Sequence, residues 1–215
     1  MEIRGTSLLS LVVVTLTAVS PVAVAGLPGQ WTDPVPLDEV NTRYEETAPF
    51  LSFDGRTLYF GRDMGWQFTH INQAVRESVD APFATAREVA GLNSAEGHVD
   101  HPWVSPDNLR MVYYSTDSGG SRLRLTRRSS EQAFWLPGGE IAELNRLGDV
   151  ADPTLTEDER IIVFSGNSLS GGQGGWDLWM ATRPDKGTRF ESVTNLRAVN
   201  TGRSEMHPCT APDGL

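Results

Sequence analysis

The chain has 215 residues, 39% of them hydrophobic and 21% charged, which is the composition of a folded globular protein and not of a disordered one. Its 18 Lys+Arg against 28 Asp+Glu leave a net charge of −10, which argues against nucleic acid as a partner because phosphate binding runs on cationic neutralisation. The single cysteine, Cys209, cannot form an internal disulfide or by itself a structural zinc site, while 21 Gly and 13 Pro imply many turns and lean toward an all-β fold.

In chain order, residues 1–25 come first. Arg4, an apolar stretch from Leu8 to Val19, and Ala23-Val24-Ala25 follow the charged, apolar and small-residue order of a secretory signal peptide. Cleavage is expected after Ala25, with the mature chain exported to the periplasm or the extracellular space. Pro21 interrupts the apolar run, which falls short of the ~20 residues of a spanning helix. No transmembrane anchor is therefore expected after cleavage.

From residue 26 to 215 the sequence repeats itself. Pro49, Pro102, Pro153 and Pro208 stand 53, 51 and 55 residues apart, and Asp54, Asp107, Asp158 and Asp213 keep the same intervals. Each proline opens a segment such as Pro49-Phe50-Leu51-Ser52-Phe53-Asp54-Gly55, and the last one ends in Asp213-Gly214. Asn41, Asn93, Asn145 and Asn200 precede the prolines by eight or nine residues. Gly65, Gly120 and Gly175 recur, as do Phe83, Phe134 and Phe190, with Trp31 as an N-terminal counterpart.

Each unit reads as four strands. An inner strand starts at the proline, the Asp-Gly, Asp-Asn or Asp-Glu pair makes a tight reversal, and a second strand follows at Leu58-Tyr59-Phe60, Met111–Tyr114 or Ile161–Phe164. A third strand alternates at Arg122–Thr126 and Asp177–Ala181, but no regular counterpart is read around Phe68–Val75. A looser fourth strand ends near Leu92, Leu144 or Leu196. Four antiparallel strands per period of 51 to 55 residues match the blade of a β-propeller, in which neighbouring blades cover one another's faces.

Ser52-Phe53-Asp54-Gly55 with Leu58-Tyr59-Phe60, Ser105-Pro106-Asp107 with Val112-Tyr113-Tyr114, and Gly174-Gly175-Trp176-Asp177-Leu178-Trp179 resemble the WD40-like propeller repeats of the TolB type. The likeness runs from Trp31 to Leu215 and implies the fold, not an activity. The third repeat departs from the pattern with Thr156-Glu157-Asp158-Glu159. TolB itself carries an additional N-terminal α/β domain, for which the five residues from Gly26 leave no room, so a role in the Tol system is not implied.

Strand counting gives about 3.5 repeats, fewer than the 4 to 8 blades of closed propellers. The chain stops inside a blade, at the inner strand begun near residue 208. An incomplete ring is therefore expected, either a fragment of a longer propeller or one that self-associates through its open blade edge.

For chemistry, His101 and His207 occupy the position immediately before the proline, Asp152 holds it in the third repeat, and His98 and Asp100 lie close by. Inner strands surround the axis of a propeller, so these five residues are candidates for a ligand face at one channel mouth, with N and O atoms suited to a divalent metal. The plainer reading is that a polar residue before proline ends a loop, bonds the backbone and faces solvent. No Gly-x-Ser-x-Gly elbow is present, and Gly171–Gly175 lacks the Lys-Ser/Thr of a phosphate loop and reads as a turn. The tryptophans read as core and inter-blade filler, with Trp66 and Trp176 the exposed pair. No catalytic residue, metal or cofactor is assigned. The expected function is a non-enzymatic exported module binding a protein or cell-envelope ligand. The alternative is an extracellular hydrolase or lyase acting on glycan or peptide through acids and histidines at the channel mouth.

Overall fold

A computed structural model describes residues 33–63, 65, 68–93 and 97–211, so the expected signal segment 1–25, Trp31, Trp66, Asp213 and Gly214 lie outside the described residues. The chain divides into Met1–Val35, of which only residues 33–35 are described, and Pro36–Leu215, which carries every strand. Among the described residues no helix is long and apolar enough to cross a membrane.

Among the described residues twelve strands form three four-stranded antiparallel sheets, each a meander in chain order. The first holds β1 (Glu46–Leu51), β2 (Thr57–Asp63), β3 (Thr69–Val75) and β4 (Arg87–Glu88). The second holds β5 (Val99–Val104), β6 (Arg110–Asp117), β7 (Gly120–Arg127) and β8 (Gly139–Glu140), followed by the one-turn helix α1 (Ala142–Asn145). The third holds β9 (Asp149–Leu155), β10 (Ile161–Asn167), β11 (Trp176–Thr182) and β12 (Glu191–Asn195). The fold is all-β, with sheets of the size and connectivity of propeller blades.

The structure departs from the sequence reading at several points. The inner strands begin not at the proline but three or four residues before it, at Glu46, Val99 and Asp149, because pairing resumes on the far side of a bulge there. The third strand of the first unit is regular, pairing Thr57↔Val75 through Asp63↔Thr69 without a break. Its polar residues hid it: Asn72 is fully buried, donating to the His70 carbonyl (3.0 Å) and accepting from Arg62 Nη1 (3.5 Å), so a polar side chain occupies an inward position. The inner strand expected near residue 208 pairs with no neighbour as a strand among the described residues. Thr210 nevertheless binds the edge of the third sheet, donating from its hydroxyl to the Leu155 carbonyl (2.9 Å) and from its amide to Thr154 Oγ1 (3.4 Å).

Physical roles account for the periodic residues. Ser52, Ser105 and Thr156 donate to Asp54, Asp107 and Asp158 at 2.5–2.6 Å, and each aspartate accepts the amide two residues on at 3.0–3.1 Å. The three aspartates are therefore turn caps. Thr156 and the Arg160 amide hold the Asp158 carboxyl below its ordinary pKa. The residue after each aspartate, Gly55, Asn108 or Glu159, is left-handed, with φ of 69°, 56° and 60°.

The periodic asparagines are clips. The side-chain amides of Asn93, Asn145 and Asn200 each pair both ways with one backbone residue 22 positions upstream, Ile71, Leu123 and Leu178, at 2.9–3.1 Å. Each clip satisfies a third-strand amide and adds a second donor to the carbonyl, which also accepts the Val89, Ile141 or Leu196 amide at 2.9–3.1 Å. Asn145→Ala strands the N–H of fully buried Leu123, whose carbonyl keeps the Ile141 amide at 3.1 Å, and a loss of about 1–2 kcal/mol is expected. Urea unfolding measures it, and a loss under about 0.5 kcal/mol would mean that water replaces the clip.

Arg76, Arg128 and Arg183 form a further repeat. Each guanidinium lies 4.3–4.6 Å above an aromatic seven residues on, and its Nε donates at 2.7 Å to the carbonyl of the left-handed turn residue. The aromatics are Phe83, Trp135 and Phe190. The middle member is thus Trp135 and not Phe134, which is 80% exposed while Trp135 is 4% exposed. Both residues precede β8 in irregular chain, and it is the Trp135 ring that turns back over the sheet to meet the arginine.

The inner strand of each sheet packs against the preceding sheet, β5 on β1–β3 and β9 on β5–β7. Tyr59, Ile71, Val104 and Met111 fill the first interface, and Leu123, Leu155, Ile162 and Phe164 the second. Burying each such side chain contributes roughly 1.5–3 kcal/mol. On β11 the most deeply buried side chains are Asp177, Trp179 and Ala181, with Leu178 and Met180 only half-buried.

Candidate functional site

The inner strands are sheet edges, and their pairing breaks at one repeated place. Register shifts fall between Thr47 and Phe50 on β1, between Asp100 and Trp103 on β5, and between Ala151 and Thr154 on β9. Each is a bulge at the residue before the proline. Ala48, His101 and Asp152 there are left-handed, with φ of 46°, 51° and 52°, and His207 has the same conformation at 56°. A residue before proline ordinarily avoids helical backbone regions, and a non-glycine residue with positive φ is strained by ~1–3 kcal/mol. The same strained geometry in four successive units turns those four side chains toward one place, as bulges beside binding sites do. The proline that follows lacks a donor and so blunts the edge.

That place is a cleft of about 710 Å³ lined by the four prolines and the residues before them, with Phe50 and Trp103 as an apolar wall. Phe50, Phe53 and Trp103 stack edge to face or tilted, with centroids 6.2–6.3 Å apart, and fix that wall. At its polar end His101 Nδ1 stands 3.5 Å from Asp152 Oδ1 and 3.6 Å from Asp100 Oδ2. These are ion-pair contacts that do not reach hydrogen-bond geometry, so this buried nitrogen has no hydrogen-bond partner. His207 Nε2 lies 3.8 Å from Asp152 Oδ2, and the His101 and His207 rings stack at 4.7 Å.

Only His207 faces solvent, with its side chain 64% exposed; those of His101 and Asp152 are 17% and 3% exposed. Three of the candidates, His101, Asp152 and His207, therefore meet. Asp100 supports them, accepting from the His101 amide (2.7 Å) and from Thr47 Oγ1 (3.2 Å). Gly61 makes room for it, since a Cβ there would stand 2.1 Å from Asp100 Oδ1. His98 is apart from the cluster: its Nδ1 lies 3.2 Å from both the amide and the hydroxyl of Thr69, and Phe68 packs edge-on at 5.7 Å.

Charge follows from this geometry. Burial disfavours the His101 imidazolium, but the Asp100 and Asp152 carboxylates outweigh it and hold the His101 pKa above the usual histidine value. Burial, reinforced by the same two carboxylates, pushes the Tyr114 hydroxyl far up, so this phenol, whose ring lies 5.5 Å from His101, stays neutral.

The glycine-rich loop 171–175 is a turn. The buried Asp177 carboxylate accepts from the Gln173 and Gly174 amides at 2.5 and 3.1 Å, so those donors are already engaged. A Cβ at Gly174 would stand 1.8 Å from the Arg203 carbonyl oxygen. Trp103, Trp135 and Trp179 are buried, as filler should be, and Trp176 is half-buried.

Sequence reasoning had no access to the left-handed backbone at these four positions. An indirect signal was present, since the residue before each of the evenly spaced prolines changes from Ala to His to Asp to His.

No protein-family model matches the sequence, and no curated protein matches it. Among solved structures, the crystal structure of TolB from Acinetobacter baumannii is similar, with a TM-score of 0.52 and 16% sequence identity, covering 82% of this chain and 37% of that one. The chain thus spans well under half the length of that TolB chain, and at this identity the likeness establishes the architecture alone: three propeller-type sheets like those of TolB.

Proposed function

We propose that the chain is an exported propeller module that binds a protein or cell-envelope ligand in the cleft before the four prolines, without turning it over. The observation that carries this reading is the cleft itself. An apolar wall of Phe50 and Trp103 faces a polar end of His101, Asp152 and His207, in a volume of about 710 Å³, and such pairing of apolar lining with few convergent polar groups is typical of binding sites. The signal-like segment 1–25 supports export. Residues that define the turns and clips repeat, whereas those facing the cleft vary, as expected where the scaffold is general and the contact specific.

The test is sedimentation of the purified chain with an isolated cell-envelope fraction, against the variants His207→Ala and Phe50→Ser. Saturable retention that falls at least about tenfold in both variants, with the envelope components unchanged by mass spectrometry, is the expected result. Equal retention of the variants would remove the cleft from the reading. Release of cleaved glycan or peptide would replace it with the hydrolase or lyase alternative.

A further inference from the structure

We infer that His101, Asp152 and His207 form a site for one divalent transition-metal ion of the zinc class. The inference goes beyond ligand capture and holds whatever molecule the cleft takes, because it rests on side-chain geometry alone.

The first observation is convergence. One atom from each residue, an imidazole nitrogen from each histidine and a carboxylate oxygen from Asp152, lies within 4.8 Å of the other two. His101 Nδ1 stands 3.5 Å from Asp152 Oδ1, and His207 Nε2 stands 3.8 Å from Oδ2 of the same carboxylate. Ligands of a tetrahedral zinc ion with bonds of ~2.0–2.1 Å stand about 3.3–3.4 Å apart, so three atoms within 4.8 Å of one another draw together by at most about 1.5 Å to hold the ion. The exposed His207 ring supplies that freedom, since its side chain is 64% exposed.

The second observation is an unmet need. His101 Nδ1 is buried without a hydrogen-bond partner, and the Asp152 carboxylate, 3% exposed, accepts only a long bond (3.4 Å) from the His207 amide among those resolved. Buried polar atoms are ordinarily satisfied, and among the described residues the charge of this buried carboxylate is met only by histidine nitrogens at 3.5 and 3.8 Å. An ion between the three would serve the nitrogen and the carboxylate at once. Asp100 would then orient the His101 backbone without ligating, through the amide bond it already accepts.

The third observation is the backbone. All three residues sit in the same left-handed conformation before a proline, so their side chains are presented by strained bulges and not by flexible loops. Two nitrogens and one carboxylate oxygen favour a borderline ion over Ca²⁺ or Mg²⁺, which take oxygen ligands. Three protein ligands leave a coordination position open toward the cleft.

The experiment is isothermal titration of the purified, chelator-stripped full chain with zinc chloride alone, in a Cys209→Ser background that removes the thiol lining the same cleft. One ion per chain is expected. His207→Ala and Asp152→Asn should each weaken binding by about a hundredfold or more. Circular dichroism checks that both variants fold, and His207 is exposed enough for its removal to leave the scaffold intact. Cobalt substitution should give the visible bands of a four-coordinate site. Absence of one-to-one binding, loss of binding on Cys209→Ser alone, unchanged affinity in either folded variant, or tighter binding of Ca²⁺ than Zn²⁺ would each overturn the inference. Because the ion is titrated without any envelope component, its failure is separate from failure of the ligand reading.

Discussion

Replacing Glu159 by alanine is expected to lower the melting temperature by roughly 6–20 °C, the shift that corresponds to a loss of about 3–5 kcal/mol in a chain of this size. Glu159 is 4% exposed and accepts from Arg110 Nε at 3.0 Å and from Arg110 Nη2 at 2.5 Å, joining β6 to the turn between β9 and β10. Arg183 Nη2 approaches the same carboxylate at 3.5 Å. The hydrogen bonds from Arg110 to Glu159 hold that guanidinium above its ordinary pKa, whereas burial pulls the Arg183 guanidinium down. Both arginines are largely covered, with side chains 20% and 9% exposed. Removing the shared carboxylate leaves the Arg183 guanidinium facing Arg110, which keeps only the half-exposed Asp107 at 3.0 Å, and this costs more than the pair contributed. A second variant separates charge from backbone. Glu159 adopts φ of 60° at the place where the first unit has Gly55, so Glu159→Gly should recover about 1 kcal/mol relative to alanine. Thermal unfolding by circular dichroism reads both effects, and a shift below about 2 °C for Glu159→Ala would show the ion cluster to be marginal.

Trp135→Ala carries the other large effect, a loss of about 3–5 kcal/mol, while Phe134→Ser next to it should change stability by no more than about 0.5 kcal/mol. Trp135 packs with Tyr59, Ile71, Val89 and Leu92 between the first and second sheets and lies under the Arg128 guanidinium at 4.3 Å. Truncation opens a cavity and removes the ring on which Arg128 is stacked, loosening the bond from Arg128 Nε to the Asn108 carbonyl (2.7 Å). Phe134 is 80% exposed and has little to lose. Urea unfolding of both variants decides the register; equal losses would contradict the assignment of Trp135 as the periodic aromatic.

That pair shows where sequence stops being legible. The Pro-to-Asp segment and the asparagine repeat visibly because each performs a task that one side chain does best. A hydroxyl and a carboxylate cap the same turn three times, and an amide clips the same backbone site three times. The arginines at 76, 128 and 183 were equally periodic, each with its aromatic seven residues on, yet two adjacent aromatics at 134 and 135 left the choice to a backbone direction that composition does not encode. The third strand of the first sheet was hidden for a related reason, since buried Asn72 breaks the apolar alternation by which strands are recognised. In the cleft, the shared position of His101, Asp152 and His207 was readable, but His98 stood only three residues from His101 in the same loop-to-strand passage. The bulge separates them, directing His101 to the cleft while His98 faces Thr69.

The left-handed residue before each proline behaves as a socket. Alanine, histidine and aspartate occupy it with φ between 46° and 56°, so the backbone there is indifferent to what it displays. Orientation belongs to the bulge and the proline, and chemistry to the side chain inserted. If the cleft holds the ligand proposed above, its specificity is written at one address per unit, and rewriting it calls for exchanging single side chains at 48, 101, 152 and 207 while the sheets that carry them stay as they are.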